Sequence, residues 1–263
     1  MNLLVFDMDG VLVDVSASYR EATRQAAYIF LKGCKGGDLL KAPLFSLSEL
    51  AAVKQSGGLN NDWDMTHRVI SLLLVMAENA GGFTERTQWD VEPLARYLDS
   101  TERPLSAIME SGHLSKAADA YYAGDVGSGN VIKQIFQEIY LGQELFTRTY
   151  GFAPQYCKQE GLILKEKLFT PKELLKKLAE SGTLAIATGR PRSEALYPLE
   201  NMVLICSLQL YRLMNARPRR SGYWKRPAAV WRWESQIHLC WTTLPPCIQR
   251  QKNCIISEMW AMT

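Results

Sequence analysis

Two short apolar runs, far apart in the chain, narrow the architectures open to it. Asn2-Leu3-Leu4-Val5-Phe6 passes directly into Asp7-Met8-Asp9-Gly10, and Thr183-Leu184-Ala185-Ile186-Ala187-Thr188 passes into Gly189-Arg190. Short continuous apolar runs with β-branched or aromatic members suit strands buried on both faces, as in parallel sheets. The second run follows "TPKELLKKLAESG", which has a Thr-Pro start, Leu174, Leu175 and Leu178 on one helical face, and Gly182 as a stop. Between the two runs helical periodicity dominates, over 16–30, 47–54, 63–79, 89–99, 114–123 and 131–142, with a Gly-rich break at 32–38. Strand, long helical insertion, helix and strand predict an α/β fold, with a parallel sheet and a helical cap inserted after its first strand.

At 263 residues and 47% hydrophobic the chain can bury a sizeable core, and a net charge of +3 is too small to imply a polyanionic partner. Apolar runs such as 69–77 fall far short of the roughly 20 residues of a membrane span. Asp7 interrupts the N-terminal apolar run, which argues against a secretory signal. Cys34 and Cys157 have no metal-ligand spacing and read as reduced thiols in a cytoplasmic chain.

Side chains alternate along a strand, so Asp7 and Asp9 point the same way at its end. Carboxylates this close repel each other and need a cation or a shared proton. A hard cation such as Mg²⁺ takes oxygen ligands and commonly uses one or two carboxylates plus substrate phosphate oxygens. Ligands of parallel sheets sit beyond the carboxyl ends of the strands, so Asp7, Asp9 and Thr188 are expected to converge. A bare Asp-x-Asp reads as a solvated turn. The apolar strand before it, "GVLVD" after it and "AIATGRPRSEA" downstream outweigh that reading here.

"VFDMDGVLVD" (5–14) and "AIATGR" (185–190) resemble the first two motifs of the haloacid-dehalogenase superfamily of phosphatases. The segment between them is similar to the helical cap of the phosphoglycolate-phosphatase-like branch, in which "KQSGGLNNDWDMT" (54–66) and "IFQEIYLGQELF" (135–146) look like one subgroup. The resemblance covers 1–199. It implies a Rossmann-like α/β core over 1–15 and 166–199 and an all-helical cap over 16–165, followed by an atypical, irregular tail over 200–263. It also implies that Asp7 is the nucleophile, forming an aspartyl-phosphate, and that Asp9 is the general acid and base. Asp7 and Asp9 are the expected metal residues, binding Mg²⁺ through the Asp7 carboxylate and the Asp9 backbone carbonyl. Thr188, Gly189 and Gly10 are the expected phosphate-binding positions. Lys54, Asn60, Asn61, Asp62 and Trp63 sit where cap residues close over substrate, although Asn61 or Asp62 serves equally well as a plain helix N-cap. The implied partner is a small phosphorylated metabolite, with no nucleic acid and no membrane. Substrate identity and oligomeric state stay open, as does the choice between phosphatase and sugar phosphomutase.

The family also needs a lysine, usually before a proline, and an acidic Gly-Asp segment, both after the Thr-Gly strand. No aspartate follows Asp125, and neither Lys225 nor Lys252 precedes a proline. "GDVGSG" (124–129) imitates the acidic segment, but it lies in the cap and reads as a turn. Five of seven tryptophans and four of six cysteines lie beyond residue 200, and from Glu200 onward there are nine Lys and Arg against Glu200, Glu234 and Glu258. Back-translated and read in one shifted frame, "SEMWAMT" (257–263) permits "GDVGDD" and "WESQIH" (233–238) permits "GKPDP" or "GKPNP". That frame holds no forced stop over 200–263, whereas the other has two. A frameshift near Leu199 or Glu200 explains the lost motifs, their hidden order and the abrupt change of composition. It also implies impaired catalysis in the chain as it stands. The alternatives are a non-catalytic remnant of the fold, or a genuine tail in which "YWKRPAAVWRW" (223–233) binds single-stranded nucleic acid or a membrane surface.

Overall fold

The computed structural model describes residues 2–55, 59, 61–201 and 208–212. In chain order the elements are β1 (Asn2–Phe6), β2 (Val13–Asp14), α1 (Tyr19–Lys32), α2 (Leu47–Gln55), α3 (Asp62–Leu73), α4 (Glu92–Ser100), α5 (Pro104–Glu110) and α6 (Val131–Tyr150), followed by β3 (Lys167–Leu168), α7 (Lys172–Ser181), β4 (Gly182–Thr188), α8 (Arg192–Asn201) and β5 (Leu208–Arg212). The chain divides into two units: Met1–Val15 with the described part of Lys167–Thr263, and Ser16–Glu166. Glu166 falls with the second unit, one residue beyond the expected boundary. Its buried carboxylate accepts hydrogen bonds there from Ser18 Oγ (2.8 Å) and Tyr140 Oη (3.0 Å).

The first unit is α/β. A parallel sheet runs in the order β1–β4–β5, with Leu4 opposite Leu184 and Phe6 opposite Ile186. Leu4, Phe6, Leu184 and Ile186 share one core with Leu175 and Leu178 of α7 and with Ala195 and Leu199 of α8. Each fully buried Leu or Phe is worth about 1.5–3 kcal/mol against exposure, which is why the two apolar runs pair rather than remain separate. A short antiparallel pair, β2 with β3, joins the chain leaving β1 to the chain returning at Leu168. The expectation of a wholly irregular tail needs correction, because β5 lies within 200–263 and pairs along β4 from Leu184–Leu208 to Thr188–Arg212. Five extended residues beside a central strand gain a ladder of backbone hydrogen bonds.

The second unit is helical, and its described extended residues form only isolated bridges. α1 packs against α3 and α6, burying Ala22, Ala26 and Phe30, Val69 and Ile70, and Ile132, Ile135 and Ile139 respectively. Several expected helices differ in extent. The periodic stretch 63–79 ends as α-helix at Leu73, since Glu78 and Asp90 exchange backbone hydrogen bonds (2.9 and 3.0 Å) that draw the chain into extended form. The stretch 114–123 holds only a 3₁₀ turn, Ala117–Tyr121, in which Ala118 alone is buried. α6 runs beyond Gly142 with a kink there. α5 lay outside the expectations; Glu49 Oε1 caps it by accepting the Leu105 N–H (3.0 Å) and the Ser106 N–H (3.4 Å).

Candidate active site

β1 and β4 end at the same edge of the sheet, so the residues following Phe6 and Ala187 emerge side by side. Along the first of these segments the side chains alternate. Asp7 is exposed, Met8 is fully buried, and the Asp9 side chain is 37% exposed. Met8 anchors the loop: its carbonyl accepts the Leu12 N–H (3.0 Å) and the Val13 N–H (2.9 Å), and its own N–H donates to Asp7 Oδ1 (2.7 Å). Gly10 turns the chain with φ +73°, a conformation open to glycine at little cost, and its N–H donates to Val13 O (2.8 Å). From the returning segment, the Phe169 N–H donates to Leu12 O (2.8 Å) and Thr170 Oγ1 to Val11 O (3.1 Å). The loop is therefore held from below by the core and from the side by a neighbouring segment.

From the second strand, Thr188 is 2% exposed, and its Oγ1 accepts the Arg190 N–H (3.2 Å). A hydroxyl that accepts in this way keeps its own proton for donation. Gly189 is exposed, and a Cβ built on it meets nothing within 4 Å. Arg190 was not expected to take part, yet it joins the two motifs. Its Nε donates to Asp9 Oδ1 at 2.7 Å, and its Nη2 stands 2.6 Å from the same oxygen. The Arg190 side chain is 1% exposed, and Nη1 reaches Glu194 O in α8 at 3.4 Å. The usable signal in sequence was a cation two residues past a buried strand and directly before a proline, but local pattern names no partner for it.

Five expected residues thus come together in the first unit: Asp7, Asp9, Gly10, Thr188 and Gly189. In the second unit the expected cap residues form their own cluster. Asn61 caps α3, its Oδ1 accepting the Asp64 N–H (2.7 Å). Lys54 Nζ lies 3.8 Å from Asp62 Oδ1. Trp63 carries Lys133 Nζ over its ring at 4.2 Å, and Lys133 also pairs with Asp125 (2.6 Å) in the turn that imitates an acidic motif. Unexpected members of this cluster are Tyr122, which donates to Asp64, and His67, which stacks on Tyr122 at 4.6 Å and contacts Asp119 at 3.0 Å. Asn60 lies outside the described residues, as do Lys225, Lys252 and the shifted-frame stretches 233–238 and 257–263.

The donor set suits a hard cation in kind. Asp7 offers an exposed carboxylate and Asp9 a backbone carbonyl, within the small protein share that Mg²⁺ takes when water and phosphate oxygens fill the rest. Among the described residues no group of three or more His, Cys, Asp or Glu assembles. No described helix is long and apolar enough to cross a membrane.

The chain shares its fold with a phosphatase. Phosphatase Tt82 from Thermococcus thioreducens aligns over 88% of this chain and 78% of its own, with a TM-score of 0.50 at 21% identity. A structural-genomics target solved by X-ray methods aligns over 81% of this chain and 70% of its own, with a TM-score of 0.51 at 20% identity. Likenesses at this level of identity concern the fold alone. No family model matches the sequence, and no curated protein matches it.

Proposed function

We propose that this chain derives from a Mg²⁺-dependent phosphomonoesterase of the haloacid-dehalogenase type, acting on a small phosphorylated metabolite. The observation that carries this reading is the presentation of Asp7 and Asp9 at one sheet edge beside Thr188-Gly189, on a fold shared with a phosphatase. Asp7, exposed at the strand end, is the nucleophile toward phosphorus, and the resulting aspartyl-phosphate is hydrolysed by water. Asp9 hands a proton to the leaving oxygen and then takes one from that water. The Thr188 hydroxyl and the Gly189 N–H hold a phosphoryl oxygen. The Asp7 carboxylate and the Asp9 carbonyl would hold Mg²⁺, which would supply charge to offset the repulsion of a phosphate dianion. In the second unit, Lys54, Asn60, Asn61, Asp62 and Trp63 are the candidates for choosing the substrate.

Catalysis in the chain as written is impaired. The lysine and acidic segment expected after β4 are missing, and loss of one preorganised charge stabiliser costs about 10²–10³-fold in rate. A frameshift near Leu199 or Glu200 accounts for both losses. The test is a screen over phosphorylated metabolites, with and without Mg²⁺, of the chain as written and of a frame-restored chain. Mg²⁺-dependent turnover by the restored chain, abolished by Asp7→Asn, is the expected result; turnover that survives Asp7→Asn refutes the assignment. A second reading, a remnant that binds Mg²⁺ and phosphate without turnover, is favoured by the want of a third acid among the described residues. It predicts binding with no product from either chain.

A further inference from the structure

The helical unit is an insertion, entered after Val15 and left before Lys167, and its fold requires that the two ends stay together. Ser18 and Glu166 are 148 positions apart, and joining the ends of so long a segment has an entropic cost. Two devices meet that cost. On one side, β2 and β3 of the first unit pair through Val13–Leu168 and Asp14–Lys167. On the other, Glu166 Oε1 accepts the Ser18 hydroxyl at 2.8 Å and the Tyr140 hydroxyl at 3.0 Å, with Ser18 and Tyr140 fully buried and Glu166 6% exposed. Ser18 stands at the N-cap of α1, where a serine hydroxyl ordinarily accepts a first-turn N–H, and here its side chain makes no such bond. The residue serves the chain end rather than the helix start. Tyr140 links the same carboxylate oxygen to the middle of α6, and its ring stacks on Tyr19 at 4.6 Å. The other buried acids of this unit are satisfied in the same inward way. Glu49 takes the N–H groups of Leu105 and Ser106, and Glu138 those of Gln155, Tyr156 and Cys157.

We infer that the Glu166 carboxylate is a strap that shuts residues 16–166 into a cooperative module, which stays folded when the α/β unit opens. The two-residue ladder of β2 and β3 is lost with the first unit, because both strands belong to it. The strap is not, because Ser18, Tyr140 and Glu166 all belong to the second. Breaking hydrogen bonds to a buried charge leaves that charge poorly compensated, so the strap holds against thermal opening of the chain ends. The inference stands apart from the phosphatase reading. Its consequence is that changes in the strands of the first unit leave the helical unit folded.

The experiment is native-state hydrogen exchange of the full chain across low denaturant concentrations, read peptide by peptide. Amides of α1, α3 and α6 are expected to open as one set and those of β1 and β4 as another, with different denaturant dependence. Glu166→Ala should lower protection throughout the first set by about 10- to 100-fold and leave β1 and β4 within about threefold. Leu178→Ala, in the core of the α/β unit, should do the reverse. One common transition for both sets, a fall in both sets with either variant, or an effect of Glu166→Ala confined to the amides beside Ser18 and Glu166 overturns the inference. Should Glu166→Ala fail to fold, Ser18→Ala and Tyr140→Phe decide, since each removes one hydroxyl. Protection lost in the first set alone supports the strap, whereas unchanged protection or loss in both sets overturns it.

Discussion

Carboxylates that stand one residue apart are told apart by their surroundings, and Asp9 has the buried Arg190 guanidinium 2.6 Å from its Oδ1. Elsewhere at this scale, burial governs chemistry without any catalytic use. Cys34 is a buried free thiol, and burial pushes its pKa from the ordinary 9.0 to about 11, against a smaller opposing pull from the Arg86 charge. The folded value lies above the unfolded one, so the neutral thiol contributes stability that is complete below pH 9.0 and is lost as pH rises through about 11. Thiolate is the reactive form, so iodoacetamide at about pH 8.5 should leave Cys34 unmodified in the native chain and alkylate it in denaturant, as read by peptide mass mapping. Rapid native labelling would contradict the burial. The absence of metal spacing around Cys34 and Cys157 was visible in sequence. Their burial was not, because it depends on what packs over them.

Among the elements, α6 shows how a local stop signal and tertiary packing compete. Periodicity ends the helix at Gly142, and the structure carries it to Tyr150 with a kink at that glycine. Gly142 has φ +71° and ψ +172°, and a Cβ there would meet Gly161 N at 2.2 Å and Gly161 Cα at 2.7 Å. Such a conformation is essentially confined to glycine. Gly142→Ala should therefore cost about 3 kcal/mol or more, the strain and the backbone clash adding, seen as a lowered denaturant midpoint at unchanged slope. A shift below about 0.5 kcal/mol would mean that the close approach to Gly161 is absent in solution. Just before the kink, Glu138 is fully buried and accepts three main-chain N–H groups, from Gln155, Tyr156 and Cys157 (2.9, 2.6 and 2.9 Å). The loop after α6 is thus folded back by one carboxylate. In sequence Glu138 is merely an acid within a helical run, and nothing local tells it from the solvated acids around it.

For the molecule as a whole, the outer edge of β1 carries no described partner strand, and β5 flanks the other side of β4. A sheet of this type gains stability from further strands and a covering layer, so under the proposed frameshift an in-frame continuation would supply packing as well as catalytic groups. Restoring the frame near codon 200 should raise soluble yield and the thermal midpoint together with activity, measured on the two chains side by side. Genomic DNA read across codons 199 and 200 checks the cause, and an intact frame matched by the intact-protein mass would end that explanation. The described strand from the tail, Leu208–Arg212, weighs against a tail wholly foreign to the fold. By itself the sequence determined the local elements: short buried strands, their polar ends and the helix between them follow from periodicities of two and 3.6 that each stretch carries alone. Only the tertiary structure decided which charged groups meet. Arg190 and Asp9 are 181 positions apart, and nothing in a local pattern pairs them. Their contact exists because parallel strands bring two distant loops to one edge.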